Sequence, residues 1–387
     1  MKRYVSIILV NLILILILLI PIELIFGGWL KAPGMWDFAA YRNVHWRIGV
    51  ERYYKRSDRI NYKRDYYGFR GNYKNIEDID ILTIGGSTTD ERFVNDGETW
   101  PDTLAKCLRN IGYDADVANA GISGQSSVGH ILNFHNWLNY IDGLSPKYII
   151  AFVGINERGV GTAWQSKLED IRTFTEAHGQ HDKWKTIRKW LRRNSAVYNL
   201  VKTVGGNIKA WELGYAILPD FQISDHEINS PKRLNGAEQV ELNYAQDSRE
   251  ILKIDSPQYK LRLDKVRAGI NSKLRGYETR IDHLTKEIVN FGATPIYVTN
   301  IRADYRFKGK FIAGKLRKYF ELEPYHEVTR RHCREKNLLC VDVSRKVEVA
   351  PGDFFDVMHT TPSGSQKIGQ EICNKLSSLN NIHLKKH

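Results

Sequence analysis

The sequence predicts an α/β protein built on a doubly wound parallel sheet. Three observations carry that expectation. Five apolar runs have strand length: Ile79–Ile84, Asp116–Ala118, Tyr148–Val153, Pro295–Thr299 and Leu338–Val343. Stretches with helical spacing separate them. The first three runs each end in a polar, glycine-bearing loop, and right-handed crossovers put all three loops on one sheet edge. A chain of 387 residues with 42% hydrophobic and 26% charged content is long enough for one large domain with insertions, or two.

The amino terminus departs from this pattern. Val5–Phe26 is almost wholly apolar over 22 residues, long enough to cross a bilayer core of about 30 Å. Asn11 and Glu23 are its only strongly polar residues, with Glu23 placed to reach headgroups. No small-x-small cleavage site follows, so an uncleaved anchor over residues 1–26 is expected, not a signal peptide. Lys2 and Arg3 favour a cytoplasmic amino terminus and an extracytoplasmic body, although Lys31, Arg42 and Arg47 pull the other way. The net charge of +13 fits an anionic partner such as an acidic glycan or phospholipid headgroups, or merely a solvated basic surface. Nothing resembles a nucleic-acid module. Cys107, Cys333, Cys340 and Cys373 permit two disulfides in an exported domain, while Cys107 and Cys373 suit buried free thiols equally well. No His/Cys spacing signals a metal, and no cofactor is expected.

Residues 27–75 are aromatic and basic, and read as a membrane-proximal segment packed on the main domain, residues 76–387. Gly85-Gly86 ends the first strand abruptly and leaves Ser87 at the sheet's carboxyl edge, where α/β enzymes keep their chemistry. Thr99, with Asp102 three residues on, caps a helix that Gly112 stops. The second strand leads into Asn119-Ala-Gly-Ile-Ser-Gly-Gln, a tight loop whose backbone N–H groups are free to face a ligand, Gly124 among them. A helix with Ile131, Phe134, Trp137, Leu138 and Ile141 on its apolar positions follows. The third strand ends in Gly154-Ile-Asn-Glu, carrying Asn156. About 158–256 is an insertion: a basic, tryptophan-bearing helical stretch from Lys183 to Val204, then an aperiodic stretch read as a substrate-side lid. A long helix spans about Tyr259–Asn290, another Glu327–Lys336, and Thr361-Pro362 opens the last. The loop before it holds Asp356 and His359, a spacing at which the carboxylate can hold one ring nitrogen and leave the other to take a proton from a serine.

Each of these pieces is common alone. In order, G-G-S-T-T, S-G-Q, G-I-N-E and D-x-x-H resemble the SGNH hydrolase family, the GDSL-type esterases and lipases, over about Ile76–Leu379 apart from the insertion. The G-F-R-G turn before the first strand resembles that of membrane-anchored members. The resemblance implies a flavodoxin-like doubly wound five-stranded parallel sheet. It implies Ser87 as nucleophile, His359 as general base and Asp356 as its orienting carboxylate. It implies an oxyanion hole from the N–H of Ser87, the N–H of Gly124 and the side-chain amide of Asn156. Two departures stand out: the family's G-D-S is Gly85-Gly86-Ser87, and its asparagine-aspartate is Asn156-Glu157. The expected function is a membrane-anchored, extracytoplasmic serine esterase that removes a small acyl group, acetyl above all, from a cell-envelope glycan. An O-acyltransferase using the same acyl-enzyme and a non-catalytic glycan-binding assembly protein are the alternatives.

Overall fold

The structure is a computed structural model, and it describes residues 2–30, 42–51, 53–160, 187, 190–191, 194–212, 250–379 and 384. The chain divides into two compact units, Met1–Ala39 with Lys167–Pro219, and Ala40–Ser166 with Asp220–His387.

In the first unit, Val5–Phe26 forms part of one helix, Lys2–Phe26. Ile7, Leu14, Leu18, Leu24 and Phe26 are among its exposed apolar side chains. Several other side chains of this helix lie outside the described residues, and among the described residues no helix is long and apolar enough to cross a membrane. The Glu23 carboxylate accepts the N–H groups of Ala196 and Val197 at 2.9 and 3.1 Å and so caps a second helix, Ala196–Glu212. Most of the basic stretch expected between Lys183 and Arg193, and residues 213–249 of the expected lid, lie outside the described residues.

The second unit holds the sheet. Its strands are β3 (Ile79–Gly85), β4 (Asp116–Asn119), β5 (Tyr148–Val153), β7 (Thr294–Thr299) and β10 (Leu339–Val341). They run parallel in the order β10-β7-β5-β3-β4, the expected flavodoxin-like sequence. Helices Trp100–Asn110 and Pro362–Ser377 cover one face, where Trp100, Leu104, Leu108, Ile368 and Ile372 pack on Ile150, Phe152 and Val298. A Cys107–Cys373 disulfide joins these two helices, and Cys333 bonds Cys340, so the free-thiol alternative is set aside. The other face meets the long helix Pro257–Asn290, whose Ile281 carbonyl accepts the Tyr297 hydroxyl from β7.

Five strands were not legible in the sequence. β1 (Val44–Ile48) and β2 (Ile60–Arg64) pair as an antiparallel ribbon around Trp46, Ile48 and Tyr62. β6 (Ile251–Lys253) joins β9 (Phe311–Gly314) and β8 (Tyr305–Lys308) in a separate antiparallel sheet. (β1 and β2 together with β8 and β9 are the unforeseen hairpins; β6 replaces the end of the expected lid.) Two helices also differ from expectation. Leu316–Glu335 starts well before Glu327, with Pro324 inside it. The helix after β4 stops at Asn136, and only a 3-10 turn, Leu138–Tyr140, continues toward Ile141.

Candidate active site

The sheet order reverses between β3 and β5, and ligands of open α/β sheets bind outside the carboxyl ends of the strands at such a point. Ser87 follows β3 and Asn156 follows β5. Ser87 begins a single turn of helix, Ser87–Asp90, that Glu91 closes in the left-handed region at φ 46°. That conformation is uncommon for a residue with a side chain, and the contacts of Glu91 hold it there.

The structure brings Ser87, His359 and Asp356 into one chain of hydrogen bonds. His359 Nε2 is 2.8 Å from Ser87 Oγ, and His359 Nδ1 is 2.6 Å from Asp356 Oδ2. Asp356 Oδ1 accepts the backbone N–H groups of Met358 and His359, both at 2.8 Å, so the carboxylate also shapes its own loop. Burial alone would raise the Asp356 carboxyl, but the bond from His359, its charge and the two N–H donors outweigh that and hold it below the usual range. Phe355 stacks on the imidazole, with ring centroids 5.6 Å apart and planes within 10°. Thr361 occupies the cap position of the last helix as expected, but its hydroxyl bonds the Gly352 carbonyl instead of capping.

The other two expected residues lie on the neighbouring loops. Gly124 adopts φ +82° in the turn that Gln125 N–H closes on the Ile122 carbonyl, with open space where a side chain would stand. Asn156 donates one amide N–H to the Gln125 carbonyl at 2.8 Å, which leaves the second N–H available. Its amide nitrogen would be 2.7 Å from a Cβ placed on Gly86, so it stands against the backbone just before Ser87. Glu157, the departure from the expected aspartate, is buried. It accepts Ser127 N–H at 2.6 Å and Ser127 Oγ at 2.8 Å and pairs with buried Arg280 at 2.9 Å. It thereby ties the Asn156 loop to the start of helix Ser127–Asn136, beside the Gly124 turn.

Sequence reasoning missed a second set of buried groups that fix the Ser87 turn. Arg70, from the G-F-R-G turn, donates to the carbonyls of Asp90, Glu91 and Val94. Arg64 of β2 donates to Asp90 Oδ1 at 2.7 Å and to the Gly121 carbonyl. Burial would raise Asp90, but the charges of Arg64 and Arg70 prevail and keep it ionised. Glu91 reaches the loop of His359: its carboxylate accepts Thr360 Oγ1 at 2.6 Å, Ser365 Oγ at 2.5 Å and Trp100 N–H at 2.7 Å. Burial still pushes the Glu91 carboxyl up to about 7. In a chain with 57 lysines and arginines, no sequence signal separates the few that are buried.

A cavity of about 120 Å³ opens at Ser87, lined among others by Glu91, Phe93, Ser123, Phe355 and His359. A carbonyl carbon placed there meets a hydroxyl already bonded to a base. A serine hydroxyl is a weak nucleophile until such a base removes its proton.

No protein-family model matches the chain, and no curated protein does. Solved structures do. A lipolytic protein of the G-D-S-L family from Desulfitobacterium hafniense is similar at 12% identity and TM-score 0.36, over 76% of this chain and 98% of that one. A catalytic mutant of an acetylxylan esterase from Geobacillus stearothermophilus is similar at 12% and 0.39, over 79% and 96%. A GDSL-like lipase from Bacteroides thetaiotaomicron is similar at 11% and 0.33, over 78% and 87%.

Proposed function

We propose that the chain is a serine ester hydrolase acting on small acyl esters. The observation that supports it above all is the continuous Ser87–His359–Asp356 relay at 2.8 and 2.6 Å. In this reading Ser87 Oγ attacks the ester carbonyl while His359 Nε2 takes its proton. Asp356 holds the ring's tautomer and stabilises the imidazolium. The N–H groups of Ser87 and Gly124 and the free amide N–H of Asn156 receive the oxyanion. His359 then returns the proton to the leaving alkoxide. Water, deprotonated by the same nitrogen, releases the acid from the acyl-serine.

The size of the acyl group is read from the cavity. At about 120 Å³ it holds a few atoms, well below the roughly 300 Å³ at which drug-sized pockets begin, so acetyl suits it better than a fatty chain. An acidic cell-envelope glycan as the carrier rests on the charge of +13. Anchoring by residues 5–26, with the catalytic unit outside the cytoplasmic membrane, rests on the apolar run behind Lys2 and Arg3.

The test is trapping by a fluorophosphonate probe and mapping of the labelled residue. Ser87 is expected to carry the label, and Ser87→Ala to lose turnover of p-nitrophenyl acetate while remaining folded. Normal turnover by that variant would sink the assignment. Release of free acid in the presence of glycan acceptors supports hydrolysis, whereas transfer of most of the acyl group to a sugar would establish the transferase. A reporter fused after His387 and active only when exported tests the topology.

A further inference from the structure

A second cluster of chemically capable side chains lies apart from the serine. His135 stands in the last turn of helix Ser127–Asn136, and His283 and Glu287 stand one turn apart on helix Pro257–Asn290. One ligand atom from each residue lies within 4.8 Å of the others. Glu287 Oε1 is 3.1 Å from His135 Nε2 and 3.0 Å from His283 Nε2.

These distances suit hydrogen bonds, yet both nitrogens are shielded from solvent and neither meets the angle of a well-formed N–H···O bond to the carboxylate. The rings therefore converge beside the carboxylate oxygen, not along N–H···O lines. Convergence on a shared point is what ligands around an ion do. Two ligand atoms at about 2.0–2.1 Å in a tetrahedral shell are about 3.3 Å apart, close to both measured separations. Two imidazoles and one carboxylate leave a fourth position for water, and the nitrogen donors favour the zinc class over magnesium or calcium. The two histidine side chains are only partly buried, at 35% and 27% exposure, although the facing nitrogens themselves are shielded. Phe134 and Phe291, packed edge to face at 5.5 Å, pin the two helices at this level.

We propose that His135, His283 and Glu287 bind one divalent transition-metal ion of the zinc class, which staples helix Ser127–Asn136 to helix Pro257–Asn290. The same helix pair carries Ser127 and Arg280, the partners of Glu157 behind the Asn156 loop. Arg280 and Glu287 are seven positions apart, about 10 Å along the helix. The ion thus braces the wall of the candidate active site without touching the reacting atoms, and its presence does not depend on the ester chemistry.

The experiment uses the full-length chain in detergent, without a polyhistidine tag, and Zn²⁺ and Co²⁺ as probes. One Zn²⁺ per chain is expected to survive gel filtration. Zn²⁺ at 100 times its Kd should raise the unfolding midpoint by about 5 °C, an effect that EDTA reverses. Co²⁺ should give the visible absorption of a tetrahedral site. The double variant H135A/H283A and Glu287→Gln should lose retained ion and midpoint shift. His45→Ala, whose ring contacts Asn61 elsewhere, should keep both. Wild-type protein that retains no ion and shows no shift overturns the proposal, even if a variant fails to fold. Equal retention by H135A/H283A overturns it as well, leaving an ordinary His–Glu–His contact.

Discussion

Glu91 couples the segment that carries Ser87 to the loop that carries His359, and its titration should be visible in stability. Its carboxyl sits at about 7 in the folded protein against an ordinary value of 4.5. Burial is the main cause, opposed by the hydroxyls of Ser365 and Thr360, the Trp100 N–H and the charge of Arg70. For a carboxyl raised on folding, the native state binds more protons than the unfolded chain between the two values. Its contribution is therefore fully present below about pH 4.5 and is lost as pH rises through about 7. The difference corresponds to on the order of 3 kcal/mol. Glu91→Gln keeps a carbonyl acceptor for Thr360 and Ser365 but cannot titrate. Urea unfolding of both proteins at intervals from pH 4.5 to 8 isolates the effect, because other groups titrate alike in each and cancel. The variant's stability relative to wild type should rise through that interval and level off above about pH 7. A constant difference across the range would refute the reasoning and place the Glu91 carboxyl near its ordinary value.

Other outcomes follow from the geometry of the relay. His359→Ala removes the base and should leave almost no turnover. Asp356→Ala frees the ring and loosens its loop, and should retain about tenfold more activity than His359→Ala; the reverse order in steady-state rates would invert the assigned roles. Asn156→Ala should lower kcat by about 10²–10³ with a much smaller change in KM, as expected for a donor that acts on the oxyanion. An effect confined to KM would remove Asn156 from the oxyanion hole.

The strands of the main sheet were legible because both of its faces are covered. Tyr148–Val153 is buried at every position, so it appears in sequence as an unbroken apolar run bounded by turn residues. The ribbon Val44–Ile48 with Ile60–Arg64 alternates buried and open positions and includes arginine, lysine and histidine, which masks its period in a basic segment. Ser87, His359 and Asp356 could be read because loop position and chain order mark them. Their supports could not. Arg64, Arg70 and Arg280 are buried through partners that only the fold assembles, and Glu91 meets Thr360 and Ser365 across more than 260 residues of chain. His135 and His283 are likewise far apart in sequence, so no ligand spacing announces them.

The glycine before the serine gives the most discriminating remaining prediction. The resemblance leads to an expectation of aspartate at this position, and restoring it would seem a gain. Gly86 has φ −85° and ψ −150°, so its backbone does not require glycine. The obstacle is space: a Cβ there would stand 2.7 Å from the Asn156 amide nitrogen and 3.2 Å from the Gln125 carbonyl oxygen. The amide can yield only by giving up its 2.8 Å bond to that same carbonyl, which is what aims its second N–H. A displacement near 1 Å at such a donor can cost about 100-fold in rate. Gly86→Ala should therefore lower kcat by tenfold or more while the unfolding midpoint changes little. Gly86→Asp should be worse, because it adds a negative charge beside the forming oxyanion. In the Asn156→Ala background the Gly86→Ala penalty should largely disappear, since the clashing amide is gone. Full activity in Gly86→Ala, or penalties that simply multiply in the double variant, would show that the Asn156 amide does not act from the place it occupies beside Gly86.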